Sequence, residues 1–469
     1  MNAIRLIKRG WRRACVFALI LCMLLPVLCA CDGDTNHETP TDTAAAGSGV
    51  TLNGVPLEQY EIRYAWRDAN KEHDQAKLIQ KAIKDTFGVS LKLGEDSDER
   101  GQYVIMVGDQ DQGTVTSKTA ALGDTDYVLT HDDTTVYLLA KSIYGMQQVG
   151  ALFCAQITSA SESKAISVSK GSTISFADKI VNTMTFNIRC WSFSEAHLSR
   201  IFATIKNAEY PDTIGFQEMG KKGSWVWVDK LMARTEISSV YGWVGEDRGD
   251  STGERAAIFY RKDKYRLVES GTKWMYGDDL LGSDTPGSVN VPHTDGDYYR
   301  VYTYLVLERI SDGVKLVHIN THLDTASYYE IKDKTTGEVI QSIAVGYEVQ
   351  TQQLSYALAM AKKLQTQYDC TVVFTGDFNT TFASAPFNSI TSAGFVWTEQ
   401  IAKKKTGSEV DDIYAEESIP ICKGIDHIFI MDDNPYCLSY NICNKKITYR
   451  GVEDYASDHL ARYAAYIVD

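Results

Sequence analysis

Residues 371–379 read Thr-Val-Val-Phe-Thr-Gly-Asp-Phe-Asn: a short apolar run, a glycine, then a carboxylate and a carboxamide two positions apart. A run of this length closed by a turn signal predicts a buried strand that delivers Asp377 and Asn379 at its exit. The same plan recurs on either side. Val317-His318-Ile319-Asn320 leads into Thr321-His322-Leu323-Asp324, and Thr213-Ile214-Gly215-Phe216 leads into Gln217-Glu218. Met184, Phe186 and Ile188 alternate with Thr185 and Asn187, which sends Asn187 to the face opposite the apolar one. Asp426-His427 opens the strand Ile428-Phe429-Ile430, and Ser457-Asp458-His459 precedes a closing strand from Leu460 to Val468. Polar groups at so many strand ends predict one sheet rim on which they converge, with the strands as its rigid base.

The residue types in that set suit one kind of chemistry. Asn187, Glu218 and Asp458 offer hard oxygen donors, which favour Mg²⁺ or Mn²⁺ and leave positions open for water and a phosphate oxygen. His322 and His459 can exchange protons with a water and a leaving oxygen if a carboxylate holds each imidazole in one tautomer. Asp426 and Glu254 are the candidate orienters. Phosphoryl transfer uses this mixture, because its catalysis comes mostly from placing cations and donors around spreading charge. His318 and His427 alternate away from the rim and read as structural, and Asp324 as a loop anchor. Tyr298, Tyr299, Tyr302 and Tyr304 are dense enough for a sugar or base platform, and strand packing explains them equally.

The ordered series TFNIR, GFQEM, GERAAIFYR, NTHLD, GDFN, GIDHIFI and SDH, spread over nearly all of 181–469, resembles the endonuclease/exonuclease/phosphatase superfamily. The resemblance implies a four-layer α/β/β/α sandwich that hydrolyses a phosphoester with a divalent metal. Asn187 and Glu218 match the first metal positions and Asp458 the later one. His459 matches the base that activates water, with Asp426 as its partner; His322 matches the second imidazole, with Glu254 as its partner. Asp377 and Asn379 match the pair at the scissile phosphate, and Arg300 fits a phosphate-binding arginine. One departure bears on substrate: where nucleases of this superfamily often carry an aromatic residue two positions before the glutamate, Thr252 stands here. The loop 242–261 is instead similar to a varied bacterial and carbon-catabolite-repressor-like branch. Polar insertions at 276–298 and 326–346 are expected to form the rim that selects the substrate.

The rest of the 469 residues sets the context. Arg5, Lys8, Arg9, Arg12 and Arg13 precede an uncharged run from Ala14 to Leu28, the pattern of an export signal rather than a membrane span. The run closes on Leu28-Cys29-Ala30-Cys31, which resembles a bacterial lipobox and implies lipidation of Cys31, a lipid anchor in the cell membrane and an extracytoplasmic location. Residues 31–49 read as a flexible tether. The formal charge of the chain is −14, and without 1–30 it is 42 basic against 61 acidic side chains, or −19. Such a field opposes polyanion binding, and no basic cluster with interleaved aromatics is present, so nucleic acid is not favoured as a partner. Of ten cysteines, six lie beyond Cys31; no CxxC pair exists, Cys154 and Cys370 read as buried thiols, and Cys422 with Cys437 or Cys443 is the pairing to test.

Residues 50–178 switch periodicity several times. Val50–Trp66 reads as extended, His73–Phe87 as a helix and Tyr103–Val107 as a buried strand. A hairpin about His131–Thr134 follows, then a helix over Tyr144–Ile157. This β-α-β-β-β-α order resembles the small accessory α/β domain that precedes catalytic domains in some bacterial surface glycoside hydrolases. The expectation is therefore a signal (1–30), a tether (31–49), an accessory α/β domain (50–178) and a catalytic sandwich (179–469), acting as a monomer on a small phosphoester. Two alternatives stay open: a surface DNA or RNA nuclease, and a non-catalytic surface binding protein.

Overall fold

The computed structural model describes residues 48–469 apart from 66–69, 96–98, 109–116, 192, 288–298, 326–327, 333–335, 337–338 and 345, and only the backbone of 328–332, 339–344 and 346. The signal, Cys31, most of the tether and Tyr298 lie outside the described residues. Val50–Asp469 form one compact unit. Among the described residues, no helix is long and apolar enough to cross a membrane.

The stretch up to Ser175 builds its own six-stranded sheet. Strands Leu93–Glu95, Tyr60–Tyr64, Tyr103–Val107 and Thr135–Ala140 run parallel, and Asp126–His131 and Ile174–Ser175 complete one edge. Helices Glu72–Phe87 and Ile143–Ser159 cover the sheet, burying Ile79, Ile83, Val149 and Phe153 against Ile62, Ile105 and Leu138. Leu93–Glu95 was not legible as a strand, because Leu-Gly-Glu offers one apolar residue and no alternation.

From Ile180 onward two sheets face each other. The first has seven strands in the order Tyr241–Val244, Ile258–Arg261, Thr213–Gln217, Ile180–Asn187, Arg462–Ile467, Cys437–Ile442, Lys404–Thr406. The second has six, in the order Tyr265–Trp274, Val301–Arg309, Lys315–His322, Thr371–Asp377, Asp426–Met431, Val396–Trp397. Val181, Ala464 and Tyr466 of the first sheet share a core with Leu316, Val373 and Ile428 of the second. The outer face of the first packs on helix Glu195–Asn207 through Ile201 and Ile205, and that of the second on helix Gly346–Tyr368 through Leu354 and Leu364. The result is helix, sheet, sheet, helix, the expected α/β/β/α sandwich.

Register decides what meets at the rim. Lys315–His322 pairs in parallel with Thr371–Asp377 so that His322 lies opposite Asp377, and Asp426–Met431 runs antiparallel with Asp426 opposite Asp377. Neighbouring strands lie about 4.8 Å apart, so three chemically active side chains stand in a row. In the first sheet the parallel pairing of Ile180–Asn187 with Thr213–Gln217 ends on Asn187 opposite Gln217.

Beneath that rim the sheets are tied by a buried polar seam. Gln217 Nε2 donates to Asn320 Oδ1 at 2.7 Å, Thr375 Oγ1 donates to the same oxygen at 3.0 Å, and Asn320 Nδ2 donates to the Phe216 and Ala257 carbonyls. Gly215 makes this approach possible: a Cβ there would sit 2.2 Å from Thr375 Oγ1 and 2.6 Å from Asn320 Oδ1.

The stretch before Ile180 and the sandwich share a small core of Tyr144, Phe176 and Ile467, flanked by Tyr436 and Leu438. Tyr144 Oη donates to Asp469 Oδ2 at 2.8 Å across the same joint. The pairing to test, Cys422 with Cys437 or Cys443, does not form: all six described cysteines are free. Cys437 is turned between strands, its thiol 3.4 Å from the Ser439 and Ala465 carbonyls, Cys443 packs toward the helix layer, and Cys422 is bridged to His459. Cys154 and Cys370 are partly rather than fully buried, and burial pushes their thiols up to about 11 and about 12.

Gly215→Ala is expected to lower the unfolding free energy by about 3 kcal/mol, through overpacking and disruption of the seam, as read by urea denaturation.

Candidate active site

Two sheets contribute to one polar cluster. Asn187, fully buried at the end of its strand, donates from Nδ2 to Glu218 Oε1 and to Asp377 Oδ2, both at 2.9 Å, while its Oδ1 accepts from the Arg189 amide at 3.0 Å. Glu218 follows its strand directly and accepts at Oε2 from the Cys190 amide at 3.1 Å. Asp377 Oδ2 also lies 3.6 Å from His322 Nε2 and 3.8 Å from His459 Nδ1. His459 donates from Nδ1 to Asp426 Oδ2 at 2.9 Å, so in the neutral ring the lone pair is on Nε2. Asp458 accepts at Oδ1 from Ser457 Oγ at 3.2 Å, and its Oδ2 lies 3.5 Å from Arg189.

Three residues here, Arg189, Glu218 and Asn379, have positive φ of 56°, 57° and 47°. Each costs about 1 kcal/mol relative to ordinary backbone, and such strain concentrates where a side chain must be aimed. Asn379 is fixed by its amide N–H to Asp377 Oδ1 at 2.9 Å, its Nδ2 to the Leu323 carbonyl at 3.0 Å, and its carbonyl, which accepts from Gln350 Nε2 at 3.1 Å.

A second group adjoins the first. Arg248 grips Glu254 through two nitrogens, at 2.9 and 3.1 Å, and the Cys190 thiol lies 3.5 Å from Glu254 Oε1. His322 Nδ1 lies 3.8 Å from Glu254 Oε2, beyond hydrogen-bond range, and is buried without a hydrogen-bond partner. Arg300 is buried and approaches Asp324 Oδ1 at 3.6 Å; Asp324 also ties its own loop through the Thr325 amide. Glu218, Arg248, Glu254, Tyr299, Arg300 and His322 line the pocket that opens beside the cluster.

Burial and like charge set the protonation pattern. Burial, then the Asp426 carboxylate, push Asp377 upward; burial and the Glu218 charge raise Asp458; burial raises Glu254 against the pull of Arg248. Burial works in the same direction on Asp426, but the His459 imidazole outweighs it and holds this carboxyl below its ordinary value. His459 is driven well above the usual imidazole range by Asp426 and Asp377, despite burial, whereas burial, Arg300 and Arg248 hold His322 well below it. Two imidazoles at one site are thus biased to opposite protonation states. Carboxylates whose charges raise their neighbours, Asp426 on Asp377 and Glu218 on Asp458 and Glu254, fit a hard divalent cation, whose charge would relieve the repulsion and draw His459 down; Asn187, Glu218 and Asp458 are the oxygen donors that would hold it.

Arg189 and Arg248 were not singled out in the sequence. Arg189 bonds Glu417 through Nε and a terminal nitrogen, at 3.1 and 2.8 Å, as well as facing Asp458. Both arginines sit in loops, where pattern gives no direction to a side chain. The insertion at 326–346 includes an antiparallel hairpin, Tyr328–Lys332 with Val339–Ala344.

No family model matches the chain, and no curated protein is similar to it. Among solved structures, an endonuclease/exonuclease/phosphatase from Bacteroides vulgatus is 26% identical and aligns over 62% of this chain and 99% of its own, with a TM-score of 0.46. A mannosyl-6-phosphatase of Bacteroides thetaiotaomicron is 19% identical over 61% of this chain and 99% of its own (TM-score 0.46), and the human Nocturnin catalytic domain with bound sulfate 14% identical over 62% and 95% (TM-score 0.41). Residues 180–469 form the α/β/β/α sandwich described above.

Two histidines of that fold stay out of the cluster. His318 Nε2 lies 2.7 Å from Thr375 Oγ1 within the seam, and burial depresses it to about 3. His427 donates from Nε2 to the Thr380 carbonyl at 2.9 Å among Phe378, Phe387, Trp397 and Phe429, and burial brings it to about 4. Both are neutral when folded, and the unfolded chain binds their protons first, so stability falls as pH drops from the unfolded value near 6.5 toward the folded ones. Each group contributes about 1.4 kcal/mol per pH unit at most. His427→Gln is expected to remove about 1–2 kcal/mol of the difference between urea unfolding free energies at pH 7 and pH 5.

Proposed function

We propose that this chain is a divalent-metal-dependent hydrolase of phosphoester bonds. The observation that carries the reading is Asp377 Oδ2, which accepts from Asn187 and has both His322 and His459 within 3.8 Å; Asn187 also donates to Glu218, and His459 is held by Asp426. Asn187, Glu218 and Asp458 would hold Mg²⁺ or Mn²⁺, which when bound supplies Lewis-acid stabilisation of charge on the phosphoryl oxygens.

The chain's own groups account for the remaining steps. Asp426 fixes the Nδ1–H of His459, so its Nε2 can take the proton of an attacking water once a nearby cation has lowered its affinity for protons. Asp377 stabilises the imidazolium so formed. His322, held neutral, donates a hydrogen bond to a phosphate oxygen instead of adding a second positive charge. Arg300 lines the pocket and supplies a guanidinium for the same oxygens. Asn379, its backbone amide held by Asp377 at the exit of the same strand, would contact the scissile phosphate beside it.

We read the substrate as a small extracellular phosphoester, such as a sugar phosphate, an inositol phosphate or a phospholipid head group, because the chain is net acidic and carries no basic cluster with interleaved aromatics to hold a polymer. Lipidation at Cys31 would tether the enzyme to the outer face of the membrane.

The test is a screen of the full chain in detergent with Mg²⁺ or Mn²⁺ against sugar phosphates, inositol phosphates, sphingomyelin and plasmid DNA. Hydrolysis of a small phosphoester, abolished by EDTA and reduced about 10²- to 10⁴-fold in Glu218→Gln and His459→Ala, is expected. Plasmid nicking as the dominant activity would favour the nuclease reading, and no activity above Glu218→Gln on any substrate would sink the proposal. Cys31→Ser is expected to move the protein from the membrane to the soluble fraction of the producing cell, read by immunoblot.

A further inference from the structure

The proposed hard-cation donors leave one neighbour unused. Cys422 sits in the turn before the Asp426–Met431 strand, and a parallel bridge joins it to His459, with its amide donating to the Asp458 carbonyl at 2.7 Å. Its thiol, a carboxylate oxygen of Asp458 and a ring nitrogen of His459 all lie within 4.8 Å of one another. Cys422 is partly exposed and free, whereas Asp458 and His459 are buried at 3% and 6% exposure.

A thiolate changes what this corner can hold. Oxygen donors alone favour Mg²⁺, but sulfur, imidazole nitrogen and carboxylate oxygen together suit Zn²⁺, which tetrahedral geometry would bring to about 3.5 Å separations between sulfur and nitrogen. The backbone bridge already fixes the Cα positions, so closing from 4.8 Å asks only for side-chain rotation. His459 is orientated by Asp426 at Nδ1, the carboxylate–histidine support that metal-ligating imidazoles commonly have. Three protein ligands leave a fourth position for water.

We propose that Cys422, Asp458 and His459 form a site for Zn²⁺ or another thiophilic divalent ion, distinct in composition from the Asn187, Glu218 and Asp458 set and overlapping it at Asp458. Occupation would take the His459 lone pair and the shared carboxylate, so the ion would act as an inhibitor of the Mg²⁺-supported reaction. The inhibitory part rests on the function proposed above; the binding part does not.

The experiment separates the two. Full-length chain in detergent, reduced and stripped with EDTA, is titrated with Co²⁺ while the thiolate-to-cobalt absorption band is followed, and with Zn²⁺ by calorimetry. One tight site with that band is expected in the wild type and in Cys154→Ser, whose thiol lies on the helix Ile143–Ser159 that covers the sheet built before Ser175. In Cys422→Ser the band disappears and Zn²⁺ affinity falls at least tenfold, with an unchanged circular dichroism spectrum. Absence of the band in the wild type, or its persistence in Cys422→Ser, overturns the proposal. In parallel, Cys422→Ser is expected to retain Mg²⁺-supported turnover of whichever phosphoester the screen finds and to need at least tenfold more Zn²⁺ for half-inhibition. A wild type that shows the band but hydrolyses nothing would refute the proposed function and leave the site standing; a wild type that hydrolyses and shows no band would do the reverse.

Discussion

Asn187 belongs to one sheet and Asp377 to the other, and the 2.9 Å hydrogen bond between them joins the two sheets at the rim. Burial gives that bond its weight. Both side chains are shielded from water, so leaving either amide or carboxylate unmet would cost about 1–3 kcal/mol. The Gln217–Asn320–Thr375 seam does the same a few residues below, and Gly215 supplies the space. Rim and seam together set the spacing between the acids of one sheet and the imidazoles of the other, which an apolar interface alone would leave free to slide.

Much of this plan was readable in the chain because strand pairing converts sequence position into space. Once Thr371–Asp377 is a strand, its exit must present Asp377, and the in-register neighbours His322 and Asp426 follow from the lengths of the flanking apolar runs. Asn187 was placed by alternation, and His318 and His427 were placed away from the rim by the same period of two. Residues whose direction depends on loops were not readable. Arg189 turns through a positive φ to reach Glu417 and Asp458, and Arg248 reaches back to Glu254 from the same loop. No spacing rule encodes either reach. The separation of His322 from Glu254 has the same origin: Arg248 satisfies the carboxylate first.

The cysteines illustrate another limit. Counting thiols offered Cys422 a partner at 437 or 443, but a disulfide requires Cβ atoms about 3.8 Å apart, and sequence carries no such information for residues on different strands. The chain instead places Cys437 within the first sheet and Cys422 beside His459, so chemistry that looked structural in the sequence lies next to the proposed catalytic base.

The shared core at Tyr144, Phe176 and Ile467 has a practical meaning for anyone dividing the gene. Ile467 is only 6% exposed, and part of its cover comes from Tyr144 and Phe176, both before residue 180. A fragment truncated at 179 would bare Ile467 and Leu438 on strands of the sandwich, and Tyr436 just before one of them. That sticky patch would hinder solubility, and heating the intact protein should melt both layers in one cooperative transition rather than two.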